Sequence, residues 1–105
     1  MSTRTRLAAL SLSAAGLVGI LNWEGYSDRA YVPVEGDVPT IGYGSTRRDD
    51  GAPVKPGDTI TPPQALRRAL KDVKEFEGAI KECVSVPLTQ HEYDAYLSLS
   101  YNIGS

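Results

Sequence analysis

Apolar residues fall into three patterns along the chain, and two of these have the spacing of amphipathic helices. Residues 7–21 carry no charge, and alanine, serine and glycine dilute their leucines. One apolar face recurs with helical periodicity at Leu66, Ala69, Leu70, Val73, Phe76 and Ile80. A second such stripe comprises Tyr93, Ala95, Tyr96, Leu97, Leu99 and Tyr101. We therefore predict an N-terminal helix and two later amphipathic helices.

Capping residues place the starts of the two later helices. Thr61 suits the N-cap position, and Pro62 suits the first helical position because the backbone N–H that proline lacks is not needed there. This helix is predicted to end before Pro87. Thr89 opens the next helix, and Glu92 completes a capping box with it.

The stretch between the first and second helices has the composition of a small sheet. Residues 30–32 and 39–43 are predicted as short strands around a turn at residues 35–37. Pro33 and Pro39 confine these strands to edges or ends, because proline donates no ladder hydrogen bond. Residues 47–60 are polar and turn-rich, which predicts a surface loop. The order helix, small antiparallel sheet, helix, helix defines an α+β fold.

The N-terminus has the pattern of an export signal. Arg4 and Arg6 precede the uncharged run of residues 7–21, which is short and weakly apolar for a stable span of ~20 residues. Three interpretations stay open. A peptidase cuts near residues 13–15, or the segment is a weak anchor that later leaves the bilayer, or it is a buried helix leading into Glu24. The last two can both hold. We predict that residues 1–21 are a signal peptide or signal anchor and that residues 22–105 are the catalytic domain.

Composition and charge exclude several classes of function. The 105 residues suffice for one small domain, and a net charge of −2 argues against nucleic acid as a partner. A single cysteine, Cys83, excludes an intrachain disulfide and is predicted to be a small buried residue at a helix end. His91, the one histidine, lies on a polar helix face, which disfavours a Ser-His-Asp triad. No Cys/His cluster has metal-binding spacing, so no metal site is expected.

Glu24 is the candidate for acid chemistry. It follows Ile20, Leu21 and Trp23, and apolar surroundings raise the pKa of a carboxyl group because they disfavour its charged form. A carboxyl group that stays protonated can act as a general acid. Sugar-cleaving enzymes need such an acid together with a second, ionised carboxylate. From the pattern alone, a solvated glutamate at a helix end remains the alternative.

An ordered set of short motifs resembles the phage-type lysozymes, the endolysin family of glycoside hydrolases. The motifs are Glu24-Gly25, Ala30-Tyr31, Gly36, Thr40-Ile41-Gly42-Tyr43-Gly44, Thr46, and a helix at residues 93–104 that ends in an aromatic-Asn-apolar-Gly sequence. The resemblance covers about residues 17–105 and implies a lysozyme-like fold. It also implies hydrolysis of the β-1,4 bonds between N-acetylmuramic acid and N-acetylglucosamine in peptidoglycan, leading to host cell lysis, in a reaction that needs neither a metal nor a cofactor. The implied partners are glycan strands and, through the N-terminal segment, the inner membrane; the implied state is a monomer.

The resemblance assigns Glu24 as the general acid and Thr40 as the residue that positions water or the sugar. Pro33 stands where the family usually has an aspartate. We therefore choose Asp37 as the second carboxylate, because Gly36 lets the turn tighten beside it and Thr40 follows closely. Glu35 is the competitor, and Asp28 is a more distant one. A simple turn role for Asp37 is the alternative.

The family continues with further helices beyond the position where this chain ends, so we expect the C-terminal lobe to be missing. Two other classes of function stay open. One is a catalytically inactive remnant of a prophage lysozyme that binds cell walls or is anchored in the membrane. The other is a membrane-active peptide that acts through residues 7–21. The expected location is the periplasm or the inner membrane, with action on the cell wall.

Overall fold

A small sheet lies between two N-terminal and two C-terminal helical elements in the computed structural model, which describes residues 3–104. Residues 1, 2 and 105, the outer ends of the two predicted segments, lie outside the described residues. The α+β class and the predicted order of elements are confirmed. The elements are a 3-10 helix (Leu7–Ala9), α1 (Ala14–Glu24), β1 (Ser27–Tyr31), β2 (Thr40–Gly42), α2 (Pro62–Cys83) and α3 (Gln90–Gly104).

Both predicted helix starts are confirmed by reciprocal capping hydrogen bonds. At α2, Gln64 N donates to Thr61 Oγ1 at 3.4 Å, and Thr61 N donates to Gln64 Oε1 at 3.0 Å. At α3, Glu92 N donates to Thr89 Oγ1 at 3.2 Å, and Thr89 N donates to Glu92 Oε1 at 2.9 Å. Each box satisfies backbone donors that the first helical turn leaves without partners.

The two strands form an antiparallel hairpin with an irregular register. Ser27 pairs with Gly42, and Tyr31 pairs with Thr40. Because β1 has more residues between these two pairs than β2 has, β1 contains a bulge. Asp37 N donates to Val34 O at 2.9 Å and closes the turn of the connecting segment. The predicted hairpin is thus confirmed, with the turn at the expected place. The predicted bounds of the first strand, residues 30–32, were wrong, because β1 begins at Ser27 and ends at Tyr31.

The buried faces of α2 and α3 are narrower than the predicted stripes. On α3, the row Tyr93, Leu97 and Tyr101 is buried, whereas Tyr96 and Leu99 are exposed. On α2, the residues that face the core are Ala65, Ala69, Val73 and Ile80, and the exposed ones are Leu66 and Leu70. The wider stripes were wrong at these exposed positions, because the neighbouring elements cover only part of each apolar helix face.

Cys83 was predicted to be buried, and this prediction is wrong. The thiol is exposed at the last residue of α2. The buried row of this helix ends at Ile80, so its final residues extend past the core.

The N-terminal segment packs into the same core as the rest of the chain. Leu7 and Leu10 are buried in a cluster with the α3 residues Tyr93 and Leu97, and Ile20 of α1 packs in another cluster with Tyr101. The segment forms the 3-10 helix and the first part of α1, so the boundary drawn between residues 21 and 22 falls inside α1. Within residues 3–104, no helix combines the length and apolar character needed to cross a bilayer.

Two carboxylates anchor the start of α1. Ser13 donates to Asp94 of α3 through its backbone N at 3.1 Å and through its hydroxyl at 2.5 Å. Leu12 N donates to Glu77 Oε1 of α2 at 2.8 Å. Gly16 lies over this anchor, because a Cβ there would stand 2.9 Å from Asp94 Cγ. The anchor fixes the helix at one end and so helps to place Glu24 at the other.

Gly16→Ala is expected to lower the free energy of unfolding by about 1–3 kcal/mol, because the added methyl group overpacks the contact with Asp94. Gly19→Ala is the matched control on the same helix, since a Cβ there meets nothing within 4 Å. That control should gain up to ~1 kcal/mol from the better helix propensity of alanine. Urea unfolding of both variants measures the difference. Equal effects of the two substitutions would contradict the docking of α1 against Asp94.

Candidate active site

Glu24 is the last residue of α1, where the helix gives way to the hairpin. Gly25 ends the helix with a φ of 72° and a ψ of 170°, a combination that is open almost only to glycine, and its N–H donates to Leu21 O at 3.0 Å. The Glu-Gly pair therefore has a local structural reason. It leaves the Glu24 side chain half-buried at the junction of helix and sheet.

The Glu24 carboxyl group lies against a loop that we call the glycine loop, residues 41–45. Ile41 and Ser45 close this loop with two backbone hydrogen bonds of 2.9 Å. Glu24 Oε2 is 3.0 Å from the point where a Cβ would stand on Gly44, and Tyr101 Cε1 is 3.7 Å from the same point. The carboxyl group thus approaches the loop backbone at a place where any side chain would obstruct it.

Burial raises the pKa of Glu24 above its ordinary value. The direction is the one expected from the sequence. The expected cause is only partly right, because Trp23 is exposed and the carboxyl group lies against Gly44 instead. At a given pH, a larger fraction of this carboxyl group is protonated than of a solvated glutamate. The group is therefore suited to donate a proton to a bound substrate.

Thr40 is buried at the first position of β2, paired across the sheet with Tyr31. Its hydroxyl group donates to Val38 O at 3.3 Å. Asp37 is exposed in the turn that precedes this strand, and its Oδ1 accepts a hydrogen bond from Val38 N at 2.9 Å. The hydroxyl of Thr40 and the carboxylate of Asp37 thus share Val38 as a backbone partner.

The other acids considered from the sequence lie on the surface. Glu35 is exposed within the turn, and Asp28 is exposed on β1. The Asp28 carbonyl accepts a hydrogen bond from Ile60 N at 2.9 Å, so this position has a structural role through its backbone. Pro33 is exposed in the segment between the strands. Within residues 3–104, no group of His, Cys, Asp and Glu side chains is arranged to hold a metal ion.

Sequence reasoning missed the hydrogen bonds that hold the glycine loop, which involve Tyr101, Asp72 and the loop's own Ser45. The hydroxyl of Tyr101 donates to Tyr43 O at 2.6 Å, and the hydroxyl of Ser45 donates to Asp72 Oδ2 at 2.7 Å. Asp72 is three residues after Ala69, beside the buried residues of α2. An acidic residue at such a position in the apolar pattern could have indicated a polar contact in the core. Tyr101 was assigned to packing alone.

Gly44→Ala is expected to destabilise the fold and displace the Glu24 carboxyl group. The φ of 89° is left-handed, which costs a non-glycine residue roughly 1–2 kcal/mol, and the new methyl group would also press on Glu24 Oε2. Gly57→Ala is the matched control, because its φ is 90° and a Cβ there meets nothing within 4 Å. Thermal unfolding should show a loss about 1 kcal/mol larger for Gly44→Ala. Equal losses would mean that Glu24 does not occupy this place.

The fold and this carboxyl group together define a lysozyme-like α+β protein. The family described as phage lysozyme matches residues 21–105, and the chain belongs to this family.

Three known proteins illustrate the similarity. The endolysin of Salmonella phage P22 is 39% identical over 95 residues, which are 90% of this chain and 64% of that protein. The structure of the endolysin from Escherichia coli O157:H7 phage FAHEc1 superposes with a TM-score of 0.79 at 42% identity, covering 97% of this chain and 61% of that one. The muramidase domain of SpmX from Asticaccaulis excentricus superposes with a TM-score of 0.73 at 29% identity, covering 90% of this chain and 60% of that one. The chain therefore spans a little under two thirds of the length of these relatives.

Proposed function

We propose that this chain acts in an endolysin, a lysozyme that hydrolyses the β-1,4 bonds between N-acetylmuramic acid and N-acetylglucosamine in bacterial peptidoglycan and so lyses the host cell. The observation that carries the proposal is the half-buried carboxyl group of Glu24 against the glycine loop, with a pKa raised by burial. Family membership supports it, and so do similar proteins that are called endolysin and muramidase.

In the proposed reaction, Glu24 protonates the oxygen of the leaving sugar as the bond breaks. Asp37 either stabilises the oxocarbenium-like centre or activates water, and Thr40 positions the water or the sugar. The separation of the two carboxyl groups across a bound glycan decides between retention and inversion of the anomeric centre. Neither a cofactor nor a metal takes part in this scheme.

The direct test is incubation of the chain with purified, labelled peptidoglycan. A muramidase releases fragments with new N-acetylmuramic acid reducing ends, whereas an enzyme that cuts the stem peptide releases none. Appearance of these ends, and their absence with Glu24→Gln, would support the proposal.

A second candidate is a catalytically inactive remnant that binds cell walls. It is favoured by Pro33, which stands at the position where the family usually has an aspartate. Co-sedimentation with peptidoglycan in the absence of any new reducing ends would support this candidate against the hydrolase.

We further propose that residues 1–21 direct the chain to the inner membrane, as a cleaved signal peptide or as an anchor that is later released. The two arginines ahead of residues 7–21 support this, and the packing of Leu7, Leu10 and Ile20 gives a released segment a place in the fold.

Fusion of residues 1–30 to a reporter that is active only in the periplasm tests the export proposal. The fusion is expected to give a strong signal, because the positive region and the apolar run are the features that the export machinery recognises. The control is the same fusion without residues 7–21. If both fusions give the same signal, residues 7–21 do not direct export and serve only as part of the folded domain.

A further inference from the structure

The glycine loop is held from two helices by side chains that the proposed reaction does not use. Tyr101 of α3 donates to Tyr43 O at 2.6 Å and also interacts with the hydroxyl of Ser45. Ser45 in turn donates to Asp72 Oδ2 of α2 at 2.7 Å. A continuous set of polar contacts therefore runs from the carbonyl of Tyr43 to the carboxyl group of Asp72.

The hydroxyl groups of Tyr101 and Ser45 in this set are shielded from water, whereas Asp72 is only half-buried. Tyr101 and Ser45 are almost fully buried, and burial raises the pKa of both Tyr101 and Asp72. Because water cannot replace a lost partner at such a place, removal of one hydroxyl group should let the loop change its position.

The loop needs such support because of its own backbone. Gly42 and Gly44 both have positive φ values, and the Ile41–Ser45 pairing closes the loop only at its ends. Tyr43, between the two glycines, is the residue whose carbonyl accepts the hydrogen bond from Tyr101. Gly44, beside it, is the residue against which Glu24 lies.

We propose that Tyr101, Ser45 and Asp72 are positioning residues for Glu24, which fix the glycine loop so that Gly44 covers the Glu24 carboxyl group and limits its access to water. This inference rests on the proposed function where it treats Glu24 as the acid. The placement of the carboxyl group against the loop does not depend on that activity.

The charged groups near this unit come from several elements. Asp72 faces Glu75, Lys71 and Arg68 on its own helix and Ser45 on the loop, while Tyr101 faces both Asp72 and Glu24. The test must therefore separate a change in charge from a change in loop position.

Tyr101→Phe removes the hydroxyl group and keeps the ring. Carbon-13 NMR of the full chain, labelled at the glutamate carboxyl carbons and assigned with Glu24→Gln, follows the titration of Glu24. We expect its midpoint to fall toward that of an ordinary glutamate by about half a pH unit or more, because a mobile loop hydrates the carboxylate.

Tyr93→Phe is the matched control on the same helix. Tyr93 is also fully buried, and its hydroxyl donates to Glu77 Oε1 at 2.8 Å, away from the glycine loop. This variant should lose a comparable amount of thermal stability. It should leave the Glu24 midpoint in place, because Glu77 keeps its hydrogen bond from Leu12 N and the ring at position 93 stays buried. An unchanged midpoint in Tyr101→Phe, or equal shifts in both variants, would overturn the proposal.

Asp72 provides a second test that does not need the tyrosine variant to fold. Asp72→Asn removes the charge but keeps an oxygen that accepts the Ser45 hydrogen bond, so the Glu24 midpoint should stay near that of the parent. Asp72→Ala removes the acceptor and should lower the midpoint as Tyr101→Phe does. Identical midpoints in the two Asp72 variants would refute a positioning role.

Activity adds an independent measurement. In a hydrolytically active chain, kcat/KM falls as the pH rises through the Glu24 midpoint. In Tyr101→Phe this fall should occur at lower pH than in the parent, and in Tyr93→Phe it should occur at the same pH as in the parent. A parent chain that hydrolyses no peptidoglycan would count against the proposed function, while the NMR midpoints would still decide the positioning role.

Discussion

Glu24→Gln is expected to reduce peptidoglycan hydrolysis by about 10²–10⁴-fold, the usual contribution of a general acid. Glutamine keeps the shape of the side chain that lies against Gly44, but it has no acidic proton to give to the glycosidic oxygen. The measurement is the initial rate of release of reducing ends from labelled peptidoglycan. A variant that hydrolyses cell walls as fast as the parent would remove Glu24 from the mechanism.

Stability provides the control for this variant. Burial raises the pKa of Glu24, so the folded state binds the proton more tightly than the unfolded chain does. The resulting contribution to stability is fully present below the pKa of the unfolded carboxyl group, and it is lost as the pH rises through the higher pKa of the folded state. Because the glutamine side chain carries no charge to desolvate, Glu24→Gln should be at least as stable as the parent at neutral pH. A loss of activity in this variant therefore reports chemistry rather than unfolding.

The same pKa shift predicts the pH dependence of the active parent. A general acid works only while it is protonated, so activity should fall as the pH rises through the pKa of Glu24. Since burial raises that pKa, the falling limb should lie at higher pH than the titration of an ordinary glutamate.

Local signals explain how much of the fold could be predicted. Thr61 and Thr89 cap their helices through residues three positions away, so neighbouring sequence was sufficient to place both starts. Gly36 likewise marked the turn of the hairpin. The exposure of Leu66 and Tyr96 could not be predicted in this way, because helical spacing defines a face and leaves open which part of that face a neighbour covers.

In the candidate site, too, residues with local sequence signals could be predicted and contacts between distant residues could not. Glu24 became a candidate through the ordered motifs that resemble the family, since its apolar neighbours in the chain left a solvated glutamate open as the alternative. The contacts of Tyr101 with Tyr43 and of Ser45 with Asp72 join residues that are far apart in sequence. Their partners were defined only once α2 and α3 had packed around the glycine loop.

Substitutions at Asp37 and Glu35 discriminate between the candidates for the second carboxylate. Asp37→Asn keeps an oxygen that can accept the hydrogen bond from Val38 N, so it removes the charge and leaves the turn intact. Glu35→Gln is the matched control, because Glu35 is exposed in the same turn and the described residues offer its side chain no hydrogen bond or ion pair.

If Asp37 activates water or stabilises positive charge, Asp37→Asn should lower the rate of peptidoglycan hydrolysis by about 10²-fold or more. Glu35→Gln should stay within about twofold of the parent, as a surface change does. Initial rates at one substrate concentration, with melting temperatures to confirm folding, decide the matter. A slow Glu35→Gln beside a fully active Asp37→Asn would transfer the role to Glu35. Two fully active variants would mean that Glu24 works here without either carboxylate of this turn.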